Sequence, residues 1–352
     1  MAKALQSAGE KVTIISTSLG AEGKVATDTW LDTAYGRVIY FSAFFHSLPG
    51  AMLAAISRAV PGCDVVHLNS IFYPPSLFSA LLAARYQKPI VWSPRGELDE
   101  KALVYSTWKK RPVLWFIRRF LIKKIVFHTT SPEESERVRL IFGVNAGVVE
   151  IPNYMEIPDL VEVAAPRPYL LSIGRIHPKK ALENLIAALP LSNGFMRSGF
   201  VLKIAGDNRN TYGDQLKKQV ASLGLEQKVT FTGAVVGDEK QRLFAGAGFS
   251  ILPSHTENFG NVVIESLAQG TPVIASKGTP WSILEKNSAG IWTDNTPDNI
   301  ARALNWVFEL PEQEYMRWRH NALQLARSHY DIQANIGHWV NTYQSVITNT
   351  MK

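Results

Sequence analysis

Two glutamates, Glu257 and Glu265, lie eight positions apart where the sequence pattern changes from strand to helix. The apolar run at 249–253 predicts a buried strand, and residues 262–268 predict a helix. Glu257 would then lie at the carboxyl end of the strand, and Glu265 in the second turn of the helix. Both carboxylates are therefore expected to face one crevice, where they would accept hydrogen bonds from the hydroxyls of a ligand.

The backbone between these glutamates adds hydrogen-bond donors to the same crevice. The first N–H groups of a helix have no partner inside the helix, and they lie at the positive end of its dipole. Such groups bind hydroxyl and anionic oxygens. A sugar diphosphate needs both kinds of partner, so we expect such a ligand, held also by the amides of Asn258, Phe259, Gly260 and Asn261.

A second cluster, made of cations, follows the predicted strand at 169–173. Gly174 and Arg175 end that strand, and Lys179 and Lys180 open the next helix. Cations are unfavourable at the amino end of a helix, so a diphosphate that supplies the compensating charge would explain them. Arg175 would bind two oxygens, and Lys180 would act as a point charge. The alternative is an ordinary solvated turn with a structural salt bridge.

Short apolar runs alternate with helical patterns along the chain, which predicts parallel sheets flanked by helices. The runs that predict a complete doubly wound domain over 161–331 are 169–173, 200–205, 229–231, 249–252, 272–275 and 290–292. Those that predict a second such domain over 1–160 are 12–16, 64–68, 90–93, 125–129 and 148–151. The predicted fold class is α/β, with two Rossmann-like doubly wound parallel-sheet domains that face each other across a cleft.

The first ten residues read as the end of a helix that leads into the strand at 12–16. In a doubly wound domain, a strand and a glycine-rich turn precede that helix. The sequence starts without them. We interpret this either as a late start of the reading frame or as a shortened protein.

Composition excludes several other classes of protein. The chain has 352 residues, 46% of them hydrophobic, and a single cysteine, Cys63. Internal disulfides and thiolate metal clusters are therefore excluded. The chain has no basic-then-apolar leader, and no apolar run reaches the roughly 18 residues of a membrane span. We expect a soluble or peripheral protein of the cytoplasm.

The net charge of +7 is concentrated in one segment. Residues 101–132 contain eight basic residues and no acidic one. Within them, residues 108–124 mix cationic and aromatic side chains on a helical period, which suits a helix lying on an anionic membrane. The alternative is a surface helix that buries its apolar face in its own domain. Nucleic acid binding is a third interpretation of the charge, but no recognition module accompanies the charge, so nucleic acid is not the expected partner.

The order and spacing of these motifs resemble the retaining family 4 (group 1) glycosyltransferases, which have the GT-B fold. The motifs that carry the resemblance are Gly174-Arg175 with Lys180, Ile204-Ala205-Gly206, Phe231-Thr232-Gly233, and Glu257-Asn258-Phe259-Gly260 with Glu265. Three further motifs are similar to a subgroup from bacterial surface-polysaccharide clusters, and these are Ser93-Pro94-Arg95-Gly96-Glu97-Leu98, Ile176-His177-Pro178-Lys179-Lys180 and Lys277-Gly278-Thr279-Pro280-Trp281. Ala181 stands where the family usually has a glycine.

The resemblance implies roles for individual donor-side residues. Arg175 and Lys180 would hold and neutralise the donor diphosphate. Glu257 would hold the transferred sugar together with the amides of 258–260, and Glu265 would bind the ribose hydroxyls. The other donor-side candidates are Gly174, Gly206 and Asp207, of which Asp207 would either touch the nucleotide or close a turn. No cofactor and no metal is expected, because the sequence has no Asp-x-Asp triplet and cationic side chains can take the role of a metal.

The candidates on the acceptor side are Arg95, Gly96, Glu97 and His128, which follow or end predicted strands of the first domain. Arg95 or Glu97 would face the acceptor, and His128 could instead be structural. By the resemblance, a C-terminal helix at about 332–348 packs back on the first domain.

The resulting hypothesis is a retaining transferase of lipopolysaccharide or capsule synthesis. It would move a hexose-like sugar from a nucleoside diphosphate to a lipid-linked saccharide or oligosaccharide at the inner face of the plasma membrane. One alternative is a shortened, catalytically silent protein that binds nucleotide or a membrane surface, and the other is a basic nucleic-acid binder.

Overall fold

The computed structural model describes residues 1–42, 49–104, 107–163 and 168–350, and the chain divides into two compact units. The first unit contains Met1–Tyr154 and Ile332–Lys352, so it is built from two separate stretches of sequence. The second unit contains Met155–Asp331, which is continuous.

Most of the first unit is formed before residue 155. Its elements in this stretch are α1 (Ala2–Ser7), β1 (Thr13–Thr17), β2 (Trp30–Thr33), β3 (Gly36–Phe41), α2 (Gly50–Ala59), β4 (Val66–Asn69), α3 (Pro74–Arg85), β5 (Ile90–Ser93), α4 (Glu100–Val104), α5 (Thr107–Phe116), β6 (Ile125–Thr129), α6 (Pro132–Phe142) and β7 (Gly147–Glu150). The strands β4, β5, β6 and β7 form a parallel sheet in that order. All residues of β5 are buried, as expected for an inner strand covered on both faces.

The start of the first unit differs from the prediction of one parallel sheet. β1 pairs in parallel with β3, and β3 pairs in antiparallel fashion with β2, which gives a separate sheet within the described residues. The β2–β3 hairpin was not predicted, because Asp32 and Arg37 interrupt its apolar pattern. Gly36 is needed at this hairpin, since a β-carbon there would lie 2.2 Å from the carbonyl oxygen of Val12.

The second unit is the predicted doubly wound domain. Its elements are β8 (Tyr169–Ile173), α7 (Leu182–Ala188), α8 (Asn193–Arg197), β9 (Val201–Ala205), α9 (Thr211–Ser222), β10 (Val229–Gly233), α10 (Gly237–Gly246), β11 (Phe249–Leu252), α11 (Val262–Ala268), β12 (Val273–Ser276), α12 (Ile283–Lys286), β13 (Gly290–Thr293), α13 (Pro297–Phe308) and α14 (Glu312–Leu325). The strands are all parallel and follow the order β10-β9-β8-β11-β12-β13. The direction of winding therefore reverses between β8 and β11, and ligands of such sheets bind beyond the carboxyl ends of the strands near this reversal.

The chain returns to the first unit through its last helix, α15 (Ile332–Thr350). Ile332, Trp339 and Val346 form the buried face of this helix. They pack against Val91 of β5 and Ile151, together with residues of α1. The helix thus completes the core on one side of the parallel sheet of the first unit.

Candidate functional site

The site begins where β8 and β9 end, at two glycines that allow their loops to approach closely. A β-carbon on Gly206 would lie 2.0 Å from the carbonyl oxygen of Gly174, so a larger residue does not fit there. Gly174 has φ of +150°, which also favours glycine. Beyond these glycines lies a cavity of about 620 Å³, and the residues that line it include Gly174, Arg175, Gly206, Asp207, Arg209 and Lys240.

A reversal of the backbone places Lys180 next to Gly174. The 3₁₀ turn Pro178–Lys180 is followed by Ala181, which has φ of 49° and ψ of 41°. This left-handed conformation is the one that glycine adopts most readily, which accounts for the usual glycine at this position in the family. The Lys180 ammonium lies 3.8 Å from the point where a β-carbon on Gly174 would be.

Lys180 also forms an ion pair with Glu257, with 2.6 Å between Nζ and Oε1. The two side chains are only 18% and 15% exposed, so solvent screens the pair less than it would screen a surface pair. The hydroxyl of Ser254 donates to the same carboxylate oxygen over 2.8 Å. The second oxygen of Glu257 has no hydrogen-bond partner among the residues that the structure describes, and it is free to accept a ligand hydroxyl.

Glu265 has a similar arrangement with a lysine that sequence reasoning missed. Glu265 lies in the first turn of α11 and not in the predicted second turn: the helix begins at Val262, where it was expected, but Glu265 is only its fourth residue. Lys240 of α10 donates to its Oε1 over 2.6 Å, and the two side chains are 26% and 20% exposed. Lys240 also lines the cavity. No spacing in the sequence indicated this residue, since its role depends on how α10 packs against α11.

The remaining donor-side candidates have distinct environments. Arg175 is exposed at the cavity and has no ion pair within the described ranges. Both carboxylate oxygens of Asp207 accept hydrogen bonds from the guanidinium of Arg209, which lowers the pKa of Asp207 to about 2. Arg209, like Lys240, was not predicted as a lining residue. Asp207 is thus a partner of Arg209 at the rim of the cavity.

After Glu257, the loop that joins β11 to α11 presents backbone at Phe259 and Gly260. The side chain of Phe259 is buried in the core of the second unit, so only the amide of this residue can meet a ligand. Gly260 has φ of +85°, in the left-handed region that favours glycine. Asn258 is half-buried.

The acceptor-side candidates lie together in the first unit, where they hold loops. Glu97 accepts hydrogen bonds from the hydroxyl of Ser70 and the amide of Ile71, each over 2.6 Å. The amide of Gly96 donates to a carboxylate oxygen of Glu134 over 2.7 Å. Glu97 therefore fixes the loop after β4 from within the unit.

Arg95, next in the same loop, binds two asparagine side chains. Its Nε donates to Asn69 over 3.0 Å, and its Nη1 donates to Asn153 over 2.8 Å. The residue is non-glycine with φ of +56°. Such a conformation carries a backbone cost, which these hydrogen bonds offset.

His128 is 1% exposed and belongs to a chain of hydrogen bonds. Its Nε2 lies 2.9 Å from the carbonyl oxygen of Ile151, which can only accept, so Nε2 carries the proton. The neutral Nδ1 then accepts from Ser93 over 2.7 Å, Ser93 accepts from Nε2 of His67 over 2.8 Å, and Nδ1 of His67 accepts from Tyr343 over 2.7 Å.

Both histidines in this chain of hydrogen bonds, His67 and His128, are neutral. Burial lowers the pKa of His128 to about 4, the hydrogen bond to Ile151 opposes this, and the charge of Arg95 adds to it. Burial also lowers the pKa of His67 well below its ordinary value. His128 is thus buried, with both of its ring nitrogens hydrogen-bonded within the first unit.

Two family models account for almost the whole chain. The model described as glycosyl transferases group 1 matches residues 157–325, and the model described as a glycosyl transferase 4-like domain matches residues 1–154. This chain belongs to the group 1 glycosyltransferases. The family prediction is therefore confirmed.

A curated relative aligns with this transferase over most of both chains. It is the GDP-mannose:cellobiosyl-diphosphopolyprenol alpha-mannosyltransferase of Komagataeibacter xylinus, which is 24% identical over 94% of this chain and 86% of its own length. Alignments with several other curated relatives cover less than half of those proteins' length.

Solved structures show the fold of the transferase. Sucrose-phosphate synthase of Thermosynechococcus elongatus superposes with a TM-score of 0.77 at 18% identity, covering 99% of this chain and 92% of that one. Anabaena HepE in complex with UDP-glucose gives a TM-score of 0.69 at 20% identity, covering 90% and 86% of the two chains. The transferase has the GT-B fold, as predicted.

Proposed function

We propose that this transferase moves a hexose-like sugar from a nucleoside diphosphate to a lipid-linked saccharide, with retention of configuration, in cell-surface polysaccharide synthesis. The observation that supports a nucleoside-diphosphate sugar as the donor is that each site glutamate is paired with one lysine, Glu257 with Lys180 and Glu265 with Lys240. Each pair leaves one carboxylate oxygen available. Glu265 would accept from the ribose hydroxyls, and Glu257 from the hydroxyls of the transferred sugar.

The diphosphate would lie against Gly174, where cations converge. Arg175 is exposed at the cavity and can bind two oxygens. The ammonium group of Lys180 lies close to Gly174. As the bond between the anomeric carbon and the diphosphate breaks, these cations would stabilise the charge that develops on the leaving oxygen. We propose that this charge stabilisation needs no metal ion.

The retaining step would occur on one face of the sugar. The acceptor oxygen would form its bond to the anomeric carbon on the side from which the diphosphate departs. Its proton would pass to the departing phosphate oxygen, so no enzyme nucleophile and no covalent enzyme intermediate are required. We base this step on the mechanism expected for the family to which the chain belongs.

The basic aromatic segment, residues 108–124, supports a lipid-linked acceptor. Ile117 and Leu121 are buried, so one face of the segment belongs to the core of the first unit. On the other side, Trp108, Trp115 and Phe120 are 75%, 63% and 55% exposed. No helix in the described part of the chain is both long and apolar enough to cross a membrane.

The basic aromatic segment also carries exposed positive charge. The exposed cations of this segment are Lys109, Arg111, Arg118, Arg119, Lys123 and Lys124. Exposed aromatic residues among cations suit the interface of an anionic bilayer. We therefore propose peripheral binding at the inner face of the plasma membrane, where a polyprenol-linked acceptor such as the one named for the Komagataeibacter relative would be presented.

Titration calorimetry with UDP, UDP-glucose, GDP and GDP-mannose tests the donor assignment. We expect saturable binding of one nucleoside diphosphate and its sugar conjugate, and we expect the same affinity with and without EDTA. Failure to bind all four compounds would contradict the donor class. An affinity that disappears with EDTA and returns with Mg²⁺ would contradict metal independence.

A further inference from the structure

The segment Gly278 to Trp281, between β12 and α12, contacts the loop that carries Glu257 at three points. The carbonyl oxygen of Gly278 accepts from the amide of Glu257 over 2.9 Å. A β-carbon on Gly278 would lie 2.2 Å from the carbonyl oxygen of His255, so the two backbones touch. At the far end of the loop, Nε1 of Trp281 donates to the carbonyl oxygen of Phe259 over 2.6 Å.

Trp281 is held rigidly where it makes this hydrogen bond. Its side chain is 0% exposed. Its ring centroid lies 5.1 Å from that of Phe259 in an edge-to-face contact, and 5.2 Å from that of Tyr330. A buried aromatic residue with neighbours on several sides has one rotamer, so the indole N–H has a fixed direction.

The fixed direction of the indole sets the direction of a backbone amide on the opposite side. In a trans peptide, the C=O and N–H groups point in opposite directions, and every peptide bond in the described residues is trans. Because the carbonyl of Phe259 points toward the buried indole, the N–H of Gly260 points away from it. A β-carbon on Gly260 would lie 3.4 Å from Nε1 of Trp281 and 3.7 Å from Cγ of Glu257, so Gly260 is a close neighbour of both the indole and the side chain of Glu257.

We propose that Trp281 is a positioning residue for the donor sugar: it orients the Phe259–Gly260 peptide so that the Gly260 amide and Glu257 bind the hydroxyls of that sugar together. The inference rests on the proposed function. Trp281 would then affect only the binding of the sugar, because under the proposed function Arg175, Lys180 and Glu265 hold the rest of the donor.

The test compares Trp281→Phe with the unchanged protein, using UDP with UDP-glucose and GDP with GDP-mannose. Phenylalanine keeps an aromatic ring but removes the N–H. We expect the affinity for the nucleoside diphosphate to change less than twofold, and the affinity for the sugar conjugate to fall about 3- to 10-fold, the scale of one hydrogen bond. A purely structural role would weaken both ligands equally, so equal losses, or no loss, would overturn the inference.

Trp292→Phe is the matched control. Nε1 of Trp292 donates to the carbonyl oxygen of Thr279 over 2.8 Å, so this change removes the same kind of hydrogen bond from the same segment. The Thr279 oxygen keeps a second donor, the amide of Trp281 at 2.9 Å. We expect both affinities to stay within twofold.

A second variant covers the possibility that Trp281→Phe does not fold. Gly260→Ala places a β-carbon 3.0 Å from Leu252 at a φ of +85°, and it should turn the same peptide. We expect the same selective loss of the sugar conjugate, and equal losses of both ligands would again overturn the inference. If the unchanged protein bound none of the four ligands, the proposed function would fail, and the role of Trp281 would fail with it.

Discussion

Lys240 donates a hydrogen bond to Glu265 over 2.6 Å and thereby joins α10 to α11 at the edge of the cavity. The pair orients the carboxylate, because one of its oxygens is held by the ammonium. A partly buried carboxylate without such a partner would carry a desolvation cost. The lysine therefore keeps the acceptor group of Glu265 in place before any ligand arrives.

Replacement of this carboxylate should weaken the binding of nucleotides. We expect Glu265→Ala to reduce the affinity for the nucleoside diphosphate by roughly 2 to 3 kcal/mol, the scale of losing charge-assisted hydrogen bonds. Calorimetry measures this directly. Glu239→Ala is the control, since Glu239 precedes Lys240 in α10 but is exposed. Equal affinities for the two variants would rule out the assigned role of Glu265.

The contact between Gly206 and Gly174 predicts a strong effect of one added methyl group. Gly206→Ala would place a β-carbon 2.0 Å from the Gly174 oxygen and 3.1 Å from the Ile176 side chain. We expect a loss of about 2 kcal/mol or more in the free energy of unfolding of the second unit, with weaker nucleotide binding. Gly199→Ala meets no atom within 4 Å and should change stability by less than about 0.5 kcal/mol. Guanidinium unfolding distinguishes the two, and similar midpoints would contradict the prediction.

Membrane binding should depend on the position of the charges and not on their number. Changing Arg118, Arg119, Lys123 and Lys124 to glutamine should remove about 1 kcal/mol of attraction per residue and abolish sedimentation with phosphatidylglycerol vesicles. The control changes four other exposed cations, Lys217, Lys218, Lys286 and Arg302, and leaves the segment intact. Equal sedimentation of the two variants would show that the segment has no specific role.

The first unit should lose stability in mild acid. The pKa of His128 is about 4 in the fold and about 6.5 in an unfolded chain, so the unfolded state binds more protons between these values. The contribution of His128 is therefore complete above pH 6.5 and declines as the pH falls. At pH 5, the loss is about 2 kcal/mol by this difference.

Amide hydrogen exchange in β5 and β6 at pH 5 and pH 7, corrected for intrinsic rates, measures this change in the first unit alone. His67, whose pKa burial also lowers, and carboxylates elsewhere titrate as well, so His128→Gln serves as the reference, and it should show a smaller difference between the two pH values. His320→Gln, at an exposed position, should behave like the unchanged protein. A pH dependence as large in His128→Gln as in the unchanged protein would exclude a contribution from this histidine.

The second unit could be predicted closely because of how parallel strands are buried. β8 and β11 have the predicted bounds, since a strand covered on both faces is a continuous apolar run. The β2–β3 hairpin has no such run and was missed. The helix α14, over Glu312–Leu325, was also missed, because it is rich in charged residues and buries few side chains.

The site was predictable only where motifs are local in the sequence. The positions of Glu257 and Glu265 follow from one strand and the next helix. The partners Lys180 and Lys240 reach those glutamates from other elements, 77 and 25 positions away. The contact of His67 with Tyr343 spans 276 positions. Pairings of this kind depend on tertiary packing, which periodicity and spacing do not encode.

The discontinuity of the first unit affects its order of folding during synthesis. Val91 and Ile151 are covered by α15, which leaves the ribosome only after all of Met155–Asp331 has been translated. The continuous second unit can thus acquire its core while the first unit still exposes apolar side chains, although domains nearer the amino terminus ordinarily fold first. Nascent chains stalled before Ile332 should therefore be more sensitive to protease in the first unit than in the second.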